Sequence, residues 1–537
     1  MASRTTIIRY TAGLALLLAL FSVHAASPTF VSDKGAVQGF IQDGVVEYRG
    51  IPFAAPPIGS LRFEAPQSAI PWTGTLVADH WRSACPQSAR FNQTDGSEDE
   101  DCLYLNVAYK PNSMRRRPVL VWFYGGAYVG GSANLYPLGY LAANTNAIIV
   151  AGNYRVGVLG FLSHPDLDPS VSSSFGLLDQ KRILDWVHHN IARLGGDPNN
   201  ITITGESAGA ISVCLHLSSP LNSRMDFAKA IIQSGACLTP LPRSTDLHPY
   251  GLEFAQKLGC DGHDLNCLKH QPVSKILAVQ NDMTAKEPHS FIPAIGSAFT
   301  PDSPSERFKS GSFVRVPVLN GGNQDEYTLY VGYQVAYGQP ISRDNLPAAV
   351  RSVYNENTED VLVEYAQDAA FQQLSAPQML GRLESDFMPP GTLSHCLMLN
   401  TARVLSQFTP VYEYEFTDRD GPEQMTPEPF KLGAVHAGEL PYFFPHISHN
   451  HKIDGPNLNP QSQRLSQAML QYWGEFMRTG QPAGSRLPHW GSYRPQWFVM
   501  ELNPSRIERR SADEIHHCSF WQQRYPVYLS QSKDVTH

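Results

Sequence analysis

The stretch ITITGESAGAISVCLHL, residues 201–217, decides how this sequence is interpreted. Its first four residues are a short β-branched run, which is typical of a buried strand, and its last ten have the apolar character of a helix. Between the two lies the only Gly-x-Ser-x-Gly of the chain, from Gly205 to Gly209. The stretch therefore predicts a strand, a tight turn that carries Ser207, and a helix.

This turn would give Ser207 the properties of a nucleophile. A turn so tight holds the central serine in strained backbone geometry, and glycine on both sides removes the side chains that would clash. The helix begins directly after Ser207, so its dipole favours negative charge that develops there. A glycine-rich turn with a merely solvated serine is the alternative, but the surrounding strand and helix favour the nucleophile.

Further apolar runs predict the rest of the fold. They span residues 103–107, 119–123, 147–151 and 314–320. Residues 177–194 have helical spacing until Gly-Gly-Asp-Pro at 195–198 ends the helix. This alternation predicts an α/β fold, with a mostly parallel twisted sheet flanked by helices. We find no repeat or linker, and predict a single domain over residues 26–537 with insertions near 240–310 and 330–430.

The N-terminus has the three parts of a secretory signal. Arg4 and Arg9 form a positive region, residues 12–23 are an apolar core too short to cross a bilayer, and small residues around Ala25 suit cleavage. An uncleaved anchor is the alternative, but the apolar run ends early. We predict a signal peptide at residues 1–25 and a secreted or periplasmic protein.

Composition and charge exclude several functions. The formal net charge of −8 makes nucleic acid and anionic membrane surfaces poor partners. After the N-terminus, no stretch is long and apolar enough for stable membrane insertion. The adjacent histidines at 188–189 and 516–517 would rarely converge on one ion, so we predict no metal site.

Eight cysteines fit an exported protein, because disulfides persist in oxidising compartments. Spacing alone cannot fix the connectivity, although two local pairs are plausible, Cys85 with Cys102 and Cys260 with Cys267. Cys214 falls within the predicted buried helix, where a free and inert thiol is expected.

Six ordered motifs resemble the type-B carboxylesterase and cholinesterase family of the α/β-hydrolase superfamily, from about residue 30 to the C-terminus. The motifs are EDCLYLN at 100–106, YGGAY at 124–128, NYRVG at 153–157, GLLDQ at 176–180, GGDP at 195–198 and GESAG at 205–209. The resemblance implies the α/β-hydrolase fold, a serine carboxylic ester hydrolase that needs no cofactor, and a small-molecule ester as substrate.

The resemblance also implies the groups that activate Ser207. Histidine suits the general base because its pKa lies near neutrality, and the segment GAVHAGE at 433–439 makes His436 that base. The family carries its acid as the second member of an acidic pair, here Glu326. Asp325 is the rival, since adjacent side chains of an extended segment point opposite ways and both cannot serve.

The predicted oxyanion hole consists of backbone amides, which need little reorganisation during the reaction. They belong to Ala208, directly after the nucleophile, and to Gly126 and Ala127 in the glycine-rich loop. The family usually has a third glycine where this chain has Ala127. An alanine still donates its amide, but its methyl group argues against bulky tertiary-alcohol esters.

Other implied residues either hold the fold or border the substrate. The family disulfides correspond to Cys85–Cys102, Cys260–Cys267 and Cys396–Cys518, and the family ion pairs to Arg62–Glu100 and Arg155–Asp179. The predicted pocket residues are Glu206, Tyr128 and Cys237. The loop between Cys85 and Cys102 is short and polar and has no tryptophan, which argues against choline esters and against an interfacial lid.

Two other functions are compatible with the same residues. The family includes adhesion proteins, so a non-catalytic binding protein would have the same fold. Acyl transfer to an acceptor other than water would use the same catalytic groups. The presence of serine, acid and histidine candidates favours the hydrolase, and we expect it to act on short-to-medium acyl or small soluble esters. The sequence does not fix the oligomeric state.

Overall fold

The computed structural model describes residues 27–89, 96–111, 116–389, 391, 393–425, 428–445, 447, 458–511 and 515–529. The predicted signal peptide lies outside these residues. The strands are β1 (Thr29–Val31), β2 (Ala36–Gln38), β3 (Phe40–Gln42), β4 (Val45–Pro52), β5 (Thr75–Val77), β6 (Tyr104–Tyr109), β7 (Arg117–Phe123), β8 (Ile148–Gly152), β9 (Gly196–Glu206), β10 (Lys229–Gln233), β11 (Val318–Asn323), β12 (Val411–Phe416), β13 (Val499–Leu502) and β14 (Ile507–Arg510).

Helices fill most of the intervals between these strands. The α-helices are α1 (Leu138–Thr145), α2 (Gly157–Phe161), α3 (Phe175–Asn190), α4 (Ala208–Ser218), α5 (Ser244–Lys257), α6 (Leu265–Lys269), α7 (Val273–Lys286), α8 (Pro304–Lys309), α9 (Thr328–Ala336), α10 (Leu346–Tyr354), α11 (Thr358–Ala366), α12 (Ala369–Gln372), α13 (Ala376–Asp386), α14 (His395–Leu405), α15 (Pro460–Thr479), α16 (Cys518–Arg524) and α17 (Pro526–Leu529). Within the described ranges, none of them has both the length and the apolar character needed to cross a bilayer.

Eleven strands form one sheet in the order β14-β13-β12-β11-β10-β9-β7-β8-β6-β4-β3. Within this order, each pair of neighbouring strands from β13 to β8 is parallel. The remaining pairs at the two edges are antiparallel. The mostly parallel α/β sheet expected from the sequence is therefore confirmed, and β1, β2 and β5 form a small separate sheet.

The central strand β7 shows why helices cover both faces of the sheet. Val119, Val121 and Phe123 lie in one buried cluster with residues of α3 and α4. Leu120 and Trp122 lie in another, with residues of α1 and α15. Because side chains alternate along a strand, a run that is apolar throughout must be buried on both faces.

The helical and strand boundaries follow the local sequence closely. Helix α3 continues as a 3₁₀ turn through Ile191–Leu194 and ends at Gly195, whose φ of 81° is the left-handed conformation glycine adopts readily. Strand β11 begins at Val318, later than the apolar run at 314–320 predicted, because Pro317 has no amide hydrogen for the ladder. The predicted insertions contain the helices α5 to α8 and α9 to α14.

Four disulfides join all eight cysteines in pairs. They are Cys85–Cys102, Cys214–Cys237, Cys260–Cys267 and Cys396–Cys518. The prediction of a free thiol at Cys214 is wrong. Helix α4 and the segment after β10 both start at the carboxyl edge of parallel neighbouring strands, which places the Cα atoms of this pair 5.1 Å apart. Cys237, predicted to line the acyl pocket, is 3% exposed within this cross-link.

We expect the Cys214–Cys237 bond to stabilise the protein substantially. It closes a sequence separation of 23 residues, so the double variant Cys214→Ala/Cys237→Ala should lower the free energy of unfolding by about 3 kcal/mol. The matched double variant at Cys260 and Cys267, with a separation of 7 residues, should lose about 2 kcal/mol. Urea unfolding of the oxidised proteins measures both losses. Wild-type stability in the first double variant would contradict this expectation.

Candidate active site

Ser207 lies on the turn between β9 and α4, at the carboxyl edge of the sheet. Its backbone has φ 58° and ψ −125°, a conformation that non-glycine residues rarely adopt. A Cβ on Gly209 would lie 2.0 Å from the carbonyl oxygen of Phe123, and one on Gly205 would lie 2.4 Å from the carbonyl carbon of Gly209. The two glycines of the motif therefore allow α4 to begin directly against the end of β7.

His436 and Glu326 reach the same edge of the sheet from other loops. Glu326 follows β11, and His436 lies in the loop after β12. Nδ1 of His436 donates a hydrogen bond to Oε2 of Glu326 at 2.7 Å, and Oε1 of Glu326 accepts one from the amide of Asn323 at 2.7 Å. Both side chains are buried. Glu326 therefore fixes the tautomer and the orientation of the imidazole.

Asp325, the rival acid, has different partners. Its carboxylate accepts hydrogen bonds from Nε and Nη2 of Arg419, at 2.8 and 2.6 Å. It also accepts one from the amide of Ala434, at 2.9 Å. Asp325 thus ties the loop that carries His436 to the end of β11, while Glu326 contacts the imidazole itself.

The second imidazole nitrogen faces Glu206. Nε2 of His436 lies 3.2 Å from Oε1 of Glu206. Within the described part of the chain, no hydrogen bond joins Oγ of Ser207 to His436. Glu206 directly precedes Ser207 in the chain, so this contact brings the imidazole to the residue next to the serine. Serine–histidine hydrogen bonds are often long in unliganded sites and tighten when substrate binds.

Buried carboxylates surround this one imidazole. Burial raises the pKa of Glu206 and that of Glu439. Burial alone would lower the pKa of His436, but the charges of Glu206 and Glu326 outweigh it and raise this pKa. Glu439 also accepts a hydrogen bond from the side-chain amide of Asn323 at 2.6 Å. Glu206 and His436 therefore compete for a proton next to the serine.

The glycine-rich loop lies directly over Ser207. A Cβ on Gly125 would lie 3.0 Å from Cβ of Ser207. Gly126 and Ala127 have φ angles of 118° and 53°, so a glycine would fit the position of Ala127 with less strain. The amide of Ala208 is the first in α4, and the first four amides of a helix have no partner within it. The backbone that carries the amides of Gly126, Ala127 and Ala208 therefore lies next to Ser207.

Tyr128, predicted to line the substrate pocket, is packed inward. Its side chain is 7% exposed, and its ring meets that of Phe161 edge to face at 5.0 Å between centroids. Its hydroxyl accepts a hydrogen bond from Oγ of Ser212 at 3.3 Å, and its carbonyl accepts one from the amide of Gly157 at 2.6 Å. Tyr128 therefore anchors the loop over Ser207 to α4 and α2.

A further buried cluster, which sequence reasoning missed, lies behind Glu326. Nε2 of His395 donates a hydrogen bond to the carbonyl of Asn323 at 2.7 Å. The ring of His395 stacks on that of His516, with 4.0 Å between centroids. His516 in turn bridges the carboxylates of Asp386 and Glu415. The C-terminal segment is thereby connected to the strand end that precedes Glu326.

His395, Glu415 and His516 have ligand atoms close enough together to hold a metal ion. However, His516 contacts a carboxylate through each of its ring nitrogens, those of Asp386 and Glu415. Burial would lower the pKa of His516, but these two charges raise it. A protonated imidazole has no lone pair for a metal, so the cluster is suited to ion pairing rather than to metal binding.

Known proteins resemble the chain over nearly its whole length. A model of the carboxylesterase family matches residues 26–521. Acylcarnitine hydrolase of Mus musculus is 31% identical, with 96% of each chain covered. Para-nitrobenzyl esterase of Bacillus subtilis (strain 168) is 30% identical, with 86% of this chain and 92% of that chain covered. A solved thermophilic PNB esterase covers 91% of this chain and 99% of its own, with a TM-score of 0.75 at 26% identity.

These similarities and the fold define an α/β-hydrolase that hydrolyses carboxylic esters. The chain belongs to the carboxylesterase family, as its six motifs indicated.

The contact between Glu206 and Nε2 of His436 predicts a particular pH dependence. Glu206→Gln keeps the shape of the side chain but removes the charge, so the pKa of His436 should fall and the neutral base should be present at lower pH. We expect the acid limb of kcat/KM against pH to move down by about one unit or more.

The measurement is hydrolysis of p-nitrophenyl butyrate from acidic to alkaline pH. Glu439→Gln is the matched control, because Glu439 is equally buried but does not contact Nε2, and its effect on the acid limb should be smaller. If the limb of Glu206→Gln stays at its wild-type position, Glu206 does not set the protonation of His436.

Proposed function

We propose that the protein hydrolyses esters through Ser207, His436 and Glu326, by way of an acyl-enzyme. The observation that carries this proposal is the placement of His436. One of its nitrogens is hydrogen-bonded to Glu326 at 2.7 Å, and the other lies 3.2 Å from Glu206, the neighbour of Ser207 in the chain. The strained turn at Ser207 adds support, because such strain is retained where a group must be presented accurately.

In the proposed reaction His436 removes the proton of Ser207 while the serine oxygen attacks the ester carbonyl. The tetrahedral oxyanion accepts hydrogen bonds from the backbone amides of Gly126, Ala127 and Ala208. The imidazolium, stabilised by Glu326, then protonates the leaving alcohol. Water attacks the acyl-enzyme with the same base and releases the acid.

The proposed substrates are small soluble esters with short-to-medium acyl chains. The short polar sequence between Cys85 and Cys102 supports this, because it offers neither a tryptophan for a choline group nor an amphipathic lid. The names of the relatives mention acylcarnitine and para-nitrobenzyl esters. These names refer to esters of different alcohols. The relatives therefore support the type of bond that is cleaved rather than one particular substrate.

The proposed location is outside the cytoplasm, in the periplasm or the surroundings of the cell. Four disulfides support it, since structural disulfides are rare where thiols are kept reduced. The signal-like sequence of residues 1–25 agrees with this location.

Ser207→Ala should lower kcat for p-nitrophenyl esters, acetate to laurate, by about 10⁵-fold or more, since a triad without its nucleophile loses most of its rate. Ser218→Ala, at the other end of the same helix, should keep wild-type activity. An organophosphate should label the wild type at Ser207 alone, as mapped by mass spectrometry. Activity that survives in Ser207→Ala would refute the proposed nucleophile, and an inert wild type would favour a binding protein.

A further inference from the structure

Asn323, the last residue of β11, contacts both the triad acid and the loop that carries the base. Its backbone amide donates a hydrogen bond to Oε1 of Glu326 at 2.7 Å. Its side-chain amide donates one to the carbonyl of Val435 at 2.8 Å and one to Glu439 at 2.6 Å. Val435 directly precedes His436, so a displacement of Asn323 would move the acid relative to the imidazole.

His395, the first residue of α14, holds the carbonyl of Asn323 from behind. Its Nε2 lies 2.7 Å from this carbonyl oxygen. A carbonyl oxygen only accepts hydrogen bonds, so Nε2 is the nitrogen that carries the proton. Burial lowers the pKa of His395 to about 4, and the imidazole is therefore neutral with Nδ1 as an acceptor. The bond to Asn323 thus requires one tautomer of one buried ring.

The ring of His516 fixes that of His395. The two rings are 4.0 Å apart between centroids, with 7° between their planes. His516 contacts the carboxylates of Asp386 and Glu415, and their charges raise its pKa. A cation stacked on the ring opposes a second positive charge on His395. The stack therefore preserves the neutral imidazole that donates to the carbonyl of Asn323.

Arginines anchor the two carboxylates that hold His516. Asp386, at the end of α13, accepts a hydrogen bond from Nε of Arg382 at 2.8 Å. Glu415, on β12, accepts one from Nε of Arg510 at 3.1 Å. The carboxylates and His516 are buried, and buried ion pairs are costly to separate. The stacked rings thus have a rigid support from α13, β12 and β14.

We propose that His395 is a positioning residue for the triad acid and that His516 fixes it in this role. His395 holds Asn323, and Asn323 in turn sets where the carboxylate of Glu326 meets Nδ1 of His436. The inference rests on the proposed function. It adds to that function a connection between the C-terminal segment and the rate of the reaction.

The charged groups that face His395 do not make it a titrating group near neutral pH. They come from the end of β11, from β12, from α13 and from the C-terminal segment, and are Glu326, Glu415, Asp386 and His516. Because burial keeps His395 neutral, a changed pH profile in a His395 variant reports on the protonation of His436.

The test replaces His395 with two amides of different reach. The side-chain nitrogen of His395→Gln can occupy the position of Nε2, whereas that of His395→Asn is too short to reach the carbonyl of Asn323. We expect His395→Gln to keep kcat within about threefold, and His395→Asn to lower kcat by about tenfold or more without a matching rise in KM, because a small misplacement of a catalytic group costs rate.

The acid limb of kcat/KM against pH provides a second readout. A less well placed Glu326 stabilises the imidazolium of His436 less, so the pKa of His436 should fall in His395→Asn and the acid limb should move to lower pH. Hydrolysis of p-nitrophenyl butyrate from acidic to alkaline pH measures this shift. Rates are expressed per active site titrated with an organophosphate, which separates a slower enzyme from a smaller folded fraction.

His164→Asn is the matched control. Nε2 of His164 also lies 2.7 Å from a backbone carbonyl, that of Gly262, and its side chain is buried. We expect this variant to keep the wild-type kcat per titrated site and the wild-type acid limb.

A double variant tests the part played by His516. His516→Gln should lower kcat by itself but add little to the effect of His395→Asn, because residues that act through one another have non-additive effects. Additive effects would remove His516 from the inference. The His395 variants leave the ion pairs of His516 in place, so they test the inference even if His516→Gln does not fold.

Three outcomes would overturn the inference. They are a wild-type kcat and acid limb in His395→Asn, an equal loss in His395→Asn and His395→Gln, and fewer titrated sites with an unchanged rate per site, which would make His395 purely structural. Each of these leaves the proposed function intact if Ser207→Ala is inactive. A wild type that hydrolyses no ester refutes the proposed function instead.

Discussion

The backbone of Gly209 approaches the carbonyl of Phe123 so closely that no side chain fits between them, and the rest of the site depends on this approach. It brings the start of α4 against the end of β7 and so places Ser207 beneath the glycine-rich loop. The conformation of Ser207 costs about 1–3 kcal/mol. Two interactions hold Ser207 in this conformation. Its amide donates a hydrogen bond to the carbonyl of Gln233 at 3.0 Å, and β9 pairs in parallel with β7 and β10.

The close packing at this edge of the sheet also strengthens the electrostatic interactions of the site. Three carboxylates, those of Glu206, Glu326 and Glu439, lie in a region from which water is largely excluded. Their charges interact more strongly there than they would in water. His436 is the cation that offsets them, and its protonation is therefore tied to that of Glu206. In the proposed reaction, the neutral imidazole of His436 is therefore most available under alkaline conditions.

The sequence was most informative where structure is local. The continuous apolar run of β7, the helical period of α3 and the glycines around Ser207 each follow from neighbours in the chain. Glu326 and His436 are 110 residues apart, and only the family resemblance proposes them as partners, because no local pattern encodes such a contact.

Other features depend on tertiary packing and could not be read from one sequence. Cys214 looked inert inside its helix. The pairing of β9 with β10 brings it to Cys237, and the adjacency of these two consecutive strands was the available clue. His516 stood out only as one of two adjacent histidines, and its role could not be predicted because its partners Asp386 and Glu415 are distant in the chain.

The connection of the C-terminal segment to the region behind Glu326 affects how the protein matures. Cys518 is bonded to Cys396, and the stack of His516 on His395 supports the backbone at Asn323. A nascent chain leaving the ribosome can form the turn at Ser207 early, since β7, β9 and α4 lie in its first half. The nascent chain lacks the stack of His516 on His395 until the last helices have emerged and the Cys396–Cys518 bond has joined α16 to α14. Full activity is thus delayed until the C-terminal segment has been synthesised and its cysteine has been oxidised.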